Sequence, residues 1–393
     1  MRSRSFGGNS GGRFQQKPRR QAGHGTYIDP RRFINEAKSV AEEVAYVPQH
    51  TFADFGFEPA LQRNIDARGY INPTPVQDES IKPVMEGRDI IALANTGTGK
   101  TAAFLLPILN RLAVDPNSVR ALIMAPTREL AVQIDDEFRA FAKGMNLYSA
   151  LCVGGVNIQP QIRQIQRGPH LVIGTPGRLK DLVQQKKLRL GAANMLVLDE
   201  ADRMLDMGFI RDIQFLIAEL SQERQSLCFS ATITGEISTL LGTMLKDPVK
   251  VSVRTSETSD HVEQNIVKAN SKEHKVELLE GMLGQPEFEK VLVFGQTKHG
   301  VQRLADNLSK NGIPSEAIHG NKSQSQRQRA LNAFKANQVR VLVATDVAAR
   351  GLDIPNVSHV INFDQPATYE DYVHRIGRTG RGGKRGSALT FVA

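Results

Sequence analysis

The 393-residue chain has no tryptophan, two cysteines and an aromatic content of only 6%. No apolar run approaches the ~20 residues that a membrane-spanning helix needs, so we expect no membrane contact. The opening run MRSRSFGGNS also lacks the apolar stretch of a secretory signal. We therefore expect a cytoplasmic protein in which Cys152 and Cys228 are reduced core thiols, with neither a disulfide nor a cysteine-bound metal.

Positive charge is concentrated at the start of the chain. The net charge is +9, and the residues through Lys38 carry nine Lys or Arg against two acidic residues, which leaves about +2 for everything after. Residues 1–48 are predicted to form a basic Gly/Arg-rich leader that is largely disordered, because it has too little apolar surface to offset ordering entropy. A solubilising leader and an arm that binds RNA both fit this composition.

Length and pattern predict two α/β domains. The chain exceeds what one core comfortably supports, and from about Phe52 short β-rich runs alternate with helical segments, as in a mainly parallel sheet flanked by helices. We predict one domain at residues 49–254, a short polar linker at residues 255–260 and a second domain at residues 261–393. The predicted strands are DIIALA, ALIMAP, SALCVG, HLVIGT, MLVLDE and SLCFSA in the first domain, and EQNIVKA, KVLVFG, SEAIHG, RVLVAT, SHVINFD and SALTFVA in the second.

Polar motifs directly follow these strands. ANTGTGKT, PTREL, TPGR, DEAD and SAT each follow a strand of the first domain, and TDVAARGLD follows a strand of the second. Ligands of open α/β sheets bind beyond the carboxyl ends of the strands. We therefore expect the functional site to lie in a cleft between the two domains.

The run ANTGTGKT, residues 94–101, joins a predicted strand to a predicted helix. Its glycine-rich backbone can wrap phosphate oxygens at the positive end of the helix. Lys100 would contact the outer phosphates, and the Thr101 hydroxyl would help to hold Mg²⁺. A tight turn before a helix is the alternative, which the strand and helix context disfavours.

Two carboxylates follow the apolar strand MLVL. Asp199 suits a Mg²⁺ ligand, partly through water, and Glu200 suits the polarisation of an attacking water. Acidic clusters usually lie on the solvated surface, but the apolar strand that precedes this cluster argues against a surface position.

Arginines in the run HRIGRTGR could reach the same phosphates from the second domain. Arg378 and Arg381 lie three residues apart, and arginine is always protonated and binds phosphate oxygens in a fork. Such a finger is worth about 10³ to 10⁵ in rate. An exposed basic helix end is the alternative.

Upstream, the run GYINPTPVQ supplies an aromatic ring and an amide. Tyr70 could stack on adenine while Gln77 bonds its hydrogen-bonding edge. On composition alone, a core tyrosine and a surface glutamine are the preferred interpretation.

Taken in order, TPVQ, ANTGTGKT, PTRELA, VGG, TPGR, DEAD, SAT, VLVFGQTK, HGNKSQSQR, ATDVAARGLD and HRIGRTGR closely resemble the DEAD-box RNA helicases of superfamily 2. The resemblance extends from Phe52 to the C-terminus. It implies two RecA-like domains, ATP and Mg²⁺ as ligands, and RNA bound across both domains without sequence preference.

The resemblance also implies a role for each matching residue. The nucleotide-binding set is Phe52, Tyr70, Gln77, Ala94, Asn95, Thr96, Gly97, Thr98, Gly99, Lys100, Thr101 and Asp353. The catalytic set is Lys100, Asp199, Glu200, Arg378 and Arg381. The RNA-binding set is Pro126, Thr127, Arg128, Gly155, Thr175, Gly177, Arg178, Gly295, Gln296, Thr297, Gln324, Arg327, Thr345 and Arg350. The coupling set is Ser230, Thr232 and His374.

The function expected from this resemblance is ATP-dependent unwinding of short RNA duplexes, or remodelling of RNA–protein complexes, by a monomer with ribonucleoprotein partners. Two other classes stay open. One is an RNA clamp with little turnover, against which Glu200, Arg378 and Arg381 argue. The other is a DNA-directed ATPase, which the family resemblance alone disfavours.

Overall fold

A computed structural model describes residues 28–35, 46–95, 97–117, 120–233, 235–253, 262–349, 354, 356–380 and 385–392. The predicted linker lies outside these residues, as does most of the predicted leader. Within the described ranges, no helix is both long and apolar enough to cross a membrane.

The first domain contains a seven-stranded sheet in the order β3-β4-β2-β5-β6-β1-β7, and every pair of neighbouring strands is parallel. Its strands are β1 Ile90–Leu93, β2 Ala121–Met124, β3 Ser149–Cys152, β4 Leu171–Gly174, β5 Met195–Asp199, β6 Gln225–Ser230 and β7 Val249–Ser252. Its helices are α1 Pro59–Ala67, α2 Pro75–Met85, α3 Lys100–Val114, α4 Arg128–Phe141, α5 Ile158–Gln166, α6 Pro176–Gln184, α7 Ala201–Asp206, α8 Ile210–Ala218 and α9 Gly235–Met244, and a 3-10 helix spans Phe52–Phe55.

The second domain contains a six-stranded parallel sheet in the order β10-β11-β9-β12-β13-β8. Its strands are β8 Val262–Lys268, β9 Val291–Phe294, β10 Ser315–Ile318, β11 Val341–Ala344, β12 His359–Asn362 and β13 Gly386–Val392. Its helices are α10 Lys272–Leu283, α11 Lys298–Lys310, α12 Gln324–Lys335, α13 Asp346–Ala349 and α14 Tyr369–Ile376.

Both faces of each sheet are covered by helices, which explains why the central strands are continuous apolar runs. Strands β2, β4 and β5 of the first sheet and β9 and β11 of the second are buried along their whole length. A parallel sheet whose two faces are covered selects such runs in place of alternating polar and apolar residues. Each sheet accordingly separates two hydrophobic clusters, one on each face.

The predicted fold class is confirmed, and each predicted strand run overlaps a strand of the structure. The structure adds strand β7, which was not predicted. Both cysteines are buried and free, as expected, and burial raises the pKa of each thiol to about 12.

Part of the predicted leader is ordered. Residues 28–35 pack against the second domain, although they precede the first domain in the chain. They form a 3-10 helix, Pro30–Phe33, in which Phe33 is fully buried. The composition of the leader did not predict this contact.

Candidate functional site

The carboxyl edge of the first sheet is divided into two halves. Strands β5, β6 and β1 are neighbours, so the motifs DEAD, SAT and ANTGTGKT emerge side by side. A backbone hydrogen bond of 3.0 Å from Ala94 N to Ser230 O joins two of these motifs. Strands β3, β4 and β2 form the other half, which carries VGG, TPGR and PTREL. The predicted nucleotide and RNA groups therefore occupy adjacent halves of one edge.

The predicted phosphate loop has the backbone shape that its glycines permit. Gly97 and Gly99 have φ values of 89° and 91°, a left-handed region that disfavours residues with a Cβ atom. The Thr98 hydroxyl donates to Asn95 O at 2.8 Å, which closes the loop on itself. Lys100 is buried at the start of α3, and its ammonium donates to Ala94 O at 3.0 Å. The ammonium group of Lys100 is thus bound to the backbone of the predicted phosphate loop itself.

Gln77 supports this loop from helix α2. Its amide nitrogen donates to Gly99 O at 3.0 Å, while its amide oxygen accepts from Thr74 N at 2.9 Å in a capping box. Only 3% of Gln77 is exposed. The amide that was predicted to meet adenine is therefore engaged with the phosphate loop in this structure.

Tyr70 lies at the rim of an aromatic cluster beside α2. Its ring meets Phe52 edge-on at 5.4 Å and Phe141 edge-on at 5.6 Å, measured between centroids. Phe52 is only 1% exposed, whereas Tyr70 is half-buried. The tyrosine therefore offers a ring to a ligand, and Phe52 acts as the support beneath it.

The first two acidic residues of DEAD lie at the end of the buried strand β5. Burial raises the pKa of Asp199 to about 6, with Lys100 opposing the rise and Glu200 adding to it. One carboxylate oxygen of Asp199 has no hydrogen-bond partner in the protein. Glu200 has a left-handed backbone with φ 53°, and its carboxylate is paired with the guanidinium of Arg203. Strain of this kind in a residue other than glycine clusters at functional sites.

Asp202 connects DEAD to SAT. One of its oxygens accepts from the backbone N–H groups of Ala231 and Thr232, each at 2.9 Å. In return, Asp202 N donates to the Ser230 hydroxyl at 3.2 Å, and that hydroxyl donates to Thr232 O at 2.8 Å. Hydrogen bonds therefore join Ser230 and Thr232 to the acidic motif, and their coupling role stays a prediction.

In the second domain, the run HRIGR lies on and just after α14. Arg375 is 2% exposed and forms a bidentate pair with Asp346, at 2.5 and 2.8 Å. Arg378 is also buried, and it lines a small cavity with Asp346 and His374. The bidentate pair fixes α14 to α13, so Arg375 positions the helix that precedes the predicted finger.

Seven of the fourteen predicted RNA-binding residues line a cleft of about 450 Å³ that contains residues of both domains. It is lined by Pro126, Thr127, Arg128, Glu129, Gly154, Thr175, Gly177, Arg178, Asp181, Met207, Phe209, Arg327 and Val347. Burial lowers the pKa of Arg128, and the neighbouring charges of Arg327 and Arg178 lower it further. Three arginines and two carboxylates, those of Glu129 and Asp181, line the cleft, so its positive charges exceed its negative charges by one, which suits a polyanion.

Glu129 holds the two domains together at this cleft. It is 2% exposed on α4, and its carboxylate accepts from Arg327 at 2.9 Å and from Gln324 at 3.1 Å, both on α12 of the second domain. Three buried polar atoms nearby still have no hydrogen-bond partner in the protein: Nη1 of Arg178, Nε of Arg327 and Oε1 of Gln324. Unpartnered buried polar atoms are rare and call for a ligand or water.

Other predicted residues lie elsewhere or are not described. Gly155 packs against the guanidinium of Arg128, where a Cβ atom would collide with it. The loop after β9 is held by a hydrogen bond of 2.8 Å from Gln296 N to Asp364. Gly295, Gln296, Thr297 and Thr345 follow β9 and β11 and are not among the residues that line the cleft. Thr96, Arg350, Asp353 and Arg381 lie outside the described residues.

Four residues that position other site residues were not predicted from the sequence. Glu129, Asp202, Arg203 and Arg375 are all buried and charged, and each forms the contacts given above. Glu129, Asp202 and Arg375 lie inside the motifs, and Arg203 directly follows DEAD, so their location could be read from the sequence. The partners of Glu129, Asp202 and Arg375 are distant in sequence, so those pairings could not be predicted, whereas Arg203 pairs with the nearby Glu200.

Comparison with protein families gives two matches in chain order. The model described as DEAD/DEAH box helicase matches residues 74–240. The model described as helicase conserved C-terminal domain matches residues 274–383. Together they cover more than half of the chain.

Curated relatives match over most of this chain. ATP-dependent RNA helicase CshA of Listeria monocytogenes is 43% identical over 342 residues, which is 87% of this chain and 66% of the relative. DEAD-box ATP-dependent RNA helicase CshA of Geobacillus kaustophilus is 42% identical over 343 residues, or 87% and 73% of the two chains. This chain thus spans slightly less than two thirds of the Listeria relative and 65% of one from Bacillus cereus.

Solved structures share the arrangement of both domains. S. cerevisiae Dbp5 bound to RNA and ADP BeF3 has a TM-score of 0.76 at 29% identity, covering 87% of this chain and 89% of that one. The DEAD-box helicase Mss116 bound to ssRNA and UDP-BeF has a TM-score of 0.79 at 31% identity, covering 88% and 76%. On its two family models, its curated relatives and its two-domain architecture, this chain belongs to the DEAD-box helicase family.

Proposed function

We propose that the protein is an RNA-dependent ATPase that opens short RNA duplexes or remodels RNA–protein complexes by closing its two domains on ATP and RNA. The observation that carries this proposal is the cleft held by Glu129. Arg128 and Arg178 of the first domain and Arg327 of the second line it, so basic side chains of both domains meet at one cleft. A phosphate backbone offers the anionic acceptors that guanidinium groups bind.

The ATP site in this proposal is the other half of the sheet edge. Lys100 exchanges its bond with Ala94 O for the outer phosphates of ATP, and Tyr70 stacks on the base. Gln77 is bonded to Gly99 O, so it would transmit occupation of the phosphate loop to the base pocket. The names of the curated relatives, which specify ATP dependence and RNA, support both ligands.

The residues around Asp199 fit Mg²⁺. Asp199 offers a buried carboxylate oxygen without a partner, and Thr101 lies in the first turn of α3. Among the described residues, no group of three or more His, Cys, Asp or Glu could hold a metal by itself. That fits Mg²⁺ in particular, because this ion usually keeps several waters and binds through one or two carboxylates plus substrate phosphates. When bound, it would neutralise charge that develops on the phosphates.

For hydrolysis, we assign Glu200 to the attacking water. Its pairing with Arg203 fixes the direction of the carboxylate, which then orients the water and accepts its proton as the bond to the γ-phosphorus forms. Arg378 and Arg381 would stabilise charge on the transferred group, and ADP leaves. Loss of the γ-phosphate removes the contact shared by the two domains, so the cleft opens and RNA is released.

The position of Arg378 sets a condition on this scheme. It is buried at the end of α14 beside Asp346 and His374. To reach a phosphate, its side chain must turn out of that cavity, and we assign His374 to the interdomain coupling that accompanies the turn. Monomeric state, ribonucleoprotein partners and a cytoplasmic location, all expected from the sequence, are part of this proposal.

Phosphate release and strand separation test the proposal directly. We expect single-stranded RNA to stimulate ATP hydrolysis, and ATP to drive separation of a short RNA duplex. Tight ATP-dependent RNA binding with little turnover would instead identify a clamp, and equal stimulation by DNA would identify a DNA-directed ATPase.

A pair of arginine variants tests the RNA site itself. Arg178→Ala should weaken RNA binding on all sequences alike and reduce the slope of log affinity against log salt by about 0.7, as for one lost phosphate contact on a single strand. Arg163→Ala, at an exposed position on α5, is the matched control. Equal effects of the two substitutions would remove Arg178 from the site.

A further inference from the structure

The segment formed by residues 28–35 extends the second sheet beyond its edge strand. Asn35 and Gln264 of β8 exchange two backbone hydrogen bonds, each of 2.9 Å, in an antiparallel bridge. Strand β8 is the last strand of the second sheet. An edge strand presents unpaired backbone groups, so it is a natural template for an additional segment.

Side chains anchor the same segment to helix α14. The ring of Phe33 is fully buried, with its centroid 4.7 Å from that of Tyr372. The guanidinium carbon of Arg32 lies 3.9 Å from the ring centroid of Tyr369. In addition, the Tyr372 hydroxyl donates to the Gln264 side chain at 2.9 Å, so the helix, the strand and the segment form one packed unit.

Further along the chain, a second anchor binds the first domain. Asp78 of α2 is buried, and its carboxylate accepts from the Tyr46 hydroxyl at 2.6 Å and from Gln49 N at 2.7 Å. His50 contacts its other oxygen at 2.7 Å. Asp78 directly follows Gln77, so this anchor lies beside the residue that supports the phosphate loop.

We propose that residues 28–35 and 46–50 are the two anchors of an intramolecular clasp, in which β8 and α14 provide a peptide-docking surface whose occupant is the chain's own segment 28–35. Ten residues separate Asn35 from Tyr46, so these two points cannot move more than about 40 Å apart while both anchors hold. The clasp is a connection between the domains in addition to the predicted linker: it is covalently continuous with the first domain and docks non-covalently on the second. It joins the helix that bears Gln77 to the helix that precedes Arg378.

This clasp would limit how far the domains separate between cycles. A second connection raises the effective concentration of one domain near the other. It therefore favours the arrangement in which the two domains are in contact, even before ATP or RNA binds. The inference goes beyond the proposed RNA-dependent ATPase, since it concerns the protein without nucleotide and RNA. It can therefore fail while the proposed function holds.

Single-molecule energy transfer on the whole chain tests the clasp. Dyes would be attached to cysteines introduced at the exposed positions Glu219 and Lys310, one on each domain, since both native thiols are buried. Without ligands, Phe33→Ala should add a population with a longer distance between the dyes. Ile34→Ala is the matched control, because Ile34 is 49% exposed. Identical distance distributions for Phe33→Ala and the unsubstituted chain would overturn the proposal.

A competing peptide provides a test that needs no destabilising substitution. Excess of the synthetic peptide IDPRRFIN should displace the segment from the unsubstituted chain and produce the same longer distances. The peptide with alanine in place of phenylalanine should bind about tenfold more weakly or worse, because it buries much less apolar surface. Failure of the first peptide to change the distances would contradict the clasp. So would a dimer that dissociates in Phe33→Ala, since the segment would then dock on a second copy.

Discussion

At the scale of single residues, the local environment gives two adjacent carboxylates different properties. Asp199 is buried with an unpartnered oxygen and a raised pKa, whereas Glu200 sits in a left-handed backbone and is paired with Arg203. The sequence predicted that both are functional, because they follow a buried strand. It could not predict that Glu200 pairs with Arg203, because the same sequence is also compatible with an exposed glutamate in a helical turn.

The role of Glu200 can be tested with an isosteric change. Glu200→Gln should lower the rate of ATP hydrolysis by about 10² to 10⁴, the usual contribution of a general base, while ATP and RNA still bind. Steady-state phosphate release and equilibrium RNA binding would be measured on the same preparation. Glu219→Gln, at an exposed position on the first domain, controls for loss of a carboxylate. Ordinary turnover in Glu200→Gln would exclude the assigned role.

The raised pKa of Asp199 predicts a dependence of stability on pH. Its ordinary value is 3.8 and its value in the folded chain is about 6. Between these values the folded state holds more protons than the unfolded chain, so the free energy of unfolding should fall as pH rises from about 4 to about 6. The full shift corresponds to about 2 to 3 kcal/mol.

Asp199→Asn should remove that part of the pH dependence. Urea unfolding followed by circular dichroism, at a series of pH values, would give the difference between the variant and the unsubstituted chain. Asp66→Asn, at an exposed position, should leave the curve unchanged. Parallel curves for Asp199→Asn and the unsubstituted chain would mean that the carboxylate is ionised throughout this range.

At the scale of secondary structure elements, apolar runs were reliable guides to the strands, and one strand escaped. Strand β7 alternates between exposed and buried residues and is only four residues long, so its run VKVS carries little apolar signal. This strand is defined by its parallel pairing with β1, which lies far away in sequence, so no local pattern indicates it. The same limit applies to the start of α2. The capping box of Thr74 and Gln77 is a local feature, whereas the hydrogen bond from Gln77 to Gly99 joins two elements that are separate in sequence.

That bond makes a prediction about the start of α3. A Cβ atom at Gly99 would collide with the amide nitrogen of Gln77, whereas one at Gly87 would meet nothing within 4 Å. Both glycines have positive φ, so each substitution to alanine carries a similar backbone cost of about 1–2 kcal/mol. Gly99→Ala should in addition weaken ATP binding by about tenfold or more, since a cost of 1.4 kcal/mol is already tenfold. Titration with a fluorescent ATP analogue would measure this, with Gly87→Ala as the control. Equal affinities of the two variants would show that the contact with Gln77 does not shape the loop.

At the scale of the whole molecule, the sequence predicted a cleft between two domains, and the structure identifies the contact that joins them there. Glu129 lies in the motif PTREL but had no predicted role, and Arg327 was expected to bind RNA. The ion pair between them joins the two domains. The two residues are far apart in sequence, so no local pattern predicts that they pair. Segment 28–35 escaped prediction for a similar reason, because only the tertiary fold brings β8 and α14 to it.

Breaking the ion pair should make closure harder. Arg327→Ala leaves the buried Glu129 with Gln324 alone, and loss of one partner from a buried pair costs about 3–5 kcal/mol. The RNA concentration that gives half-maximal stimulation of ATP hydrolysis should therefore rise. An RNA titration of the ATPase rate measures this, and Arg329→Ala, exposed on the same helix, is the control. Matching titration curves for the two variants would remove the ion pair from the closing mechanism.

The cover that Phe33 and Asn35 give to the second domain has a practical consequence for anyone who shortens this protein. A version that begins at residue 49, where the first domain is predicted to start, would strip strand β8 of its bridge and uncover apolar surface beside Tyr372. A bare strand border next to such surface invites other molecules to pair with it. We therefore expect that version to aggregate during concentration and storage, although all of the predicted nucleotide-binding residues would be present.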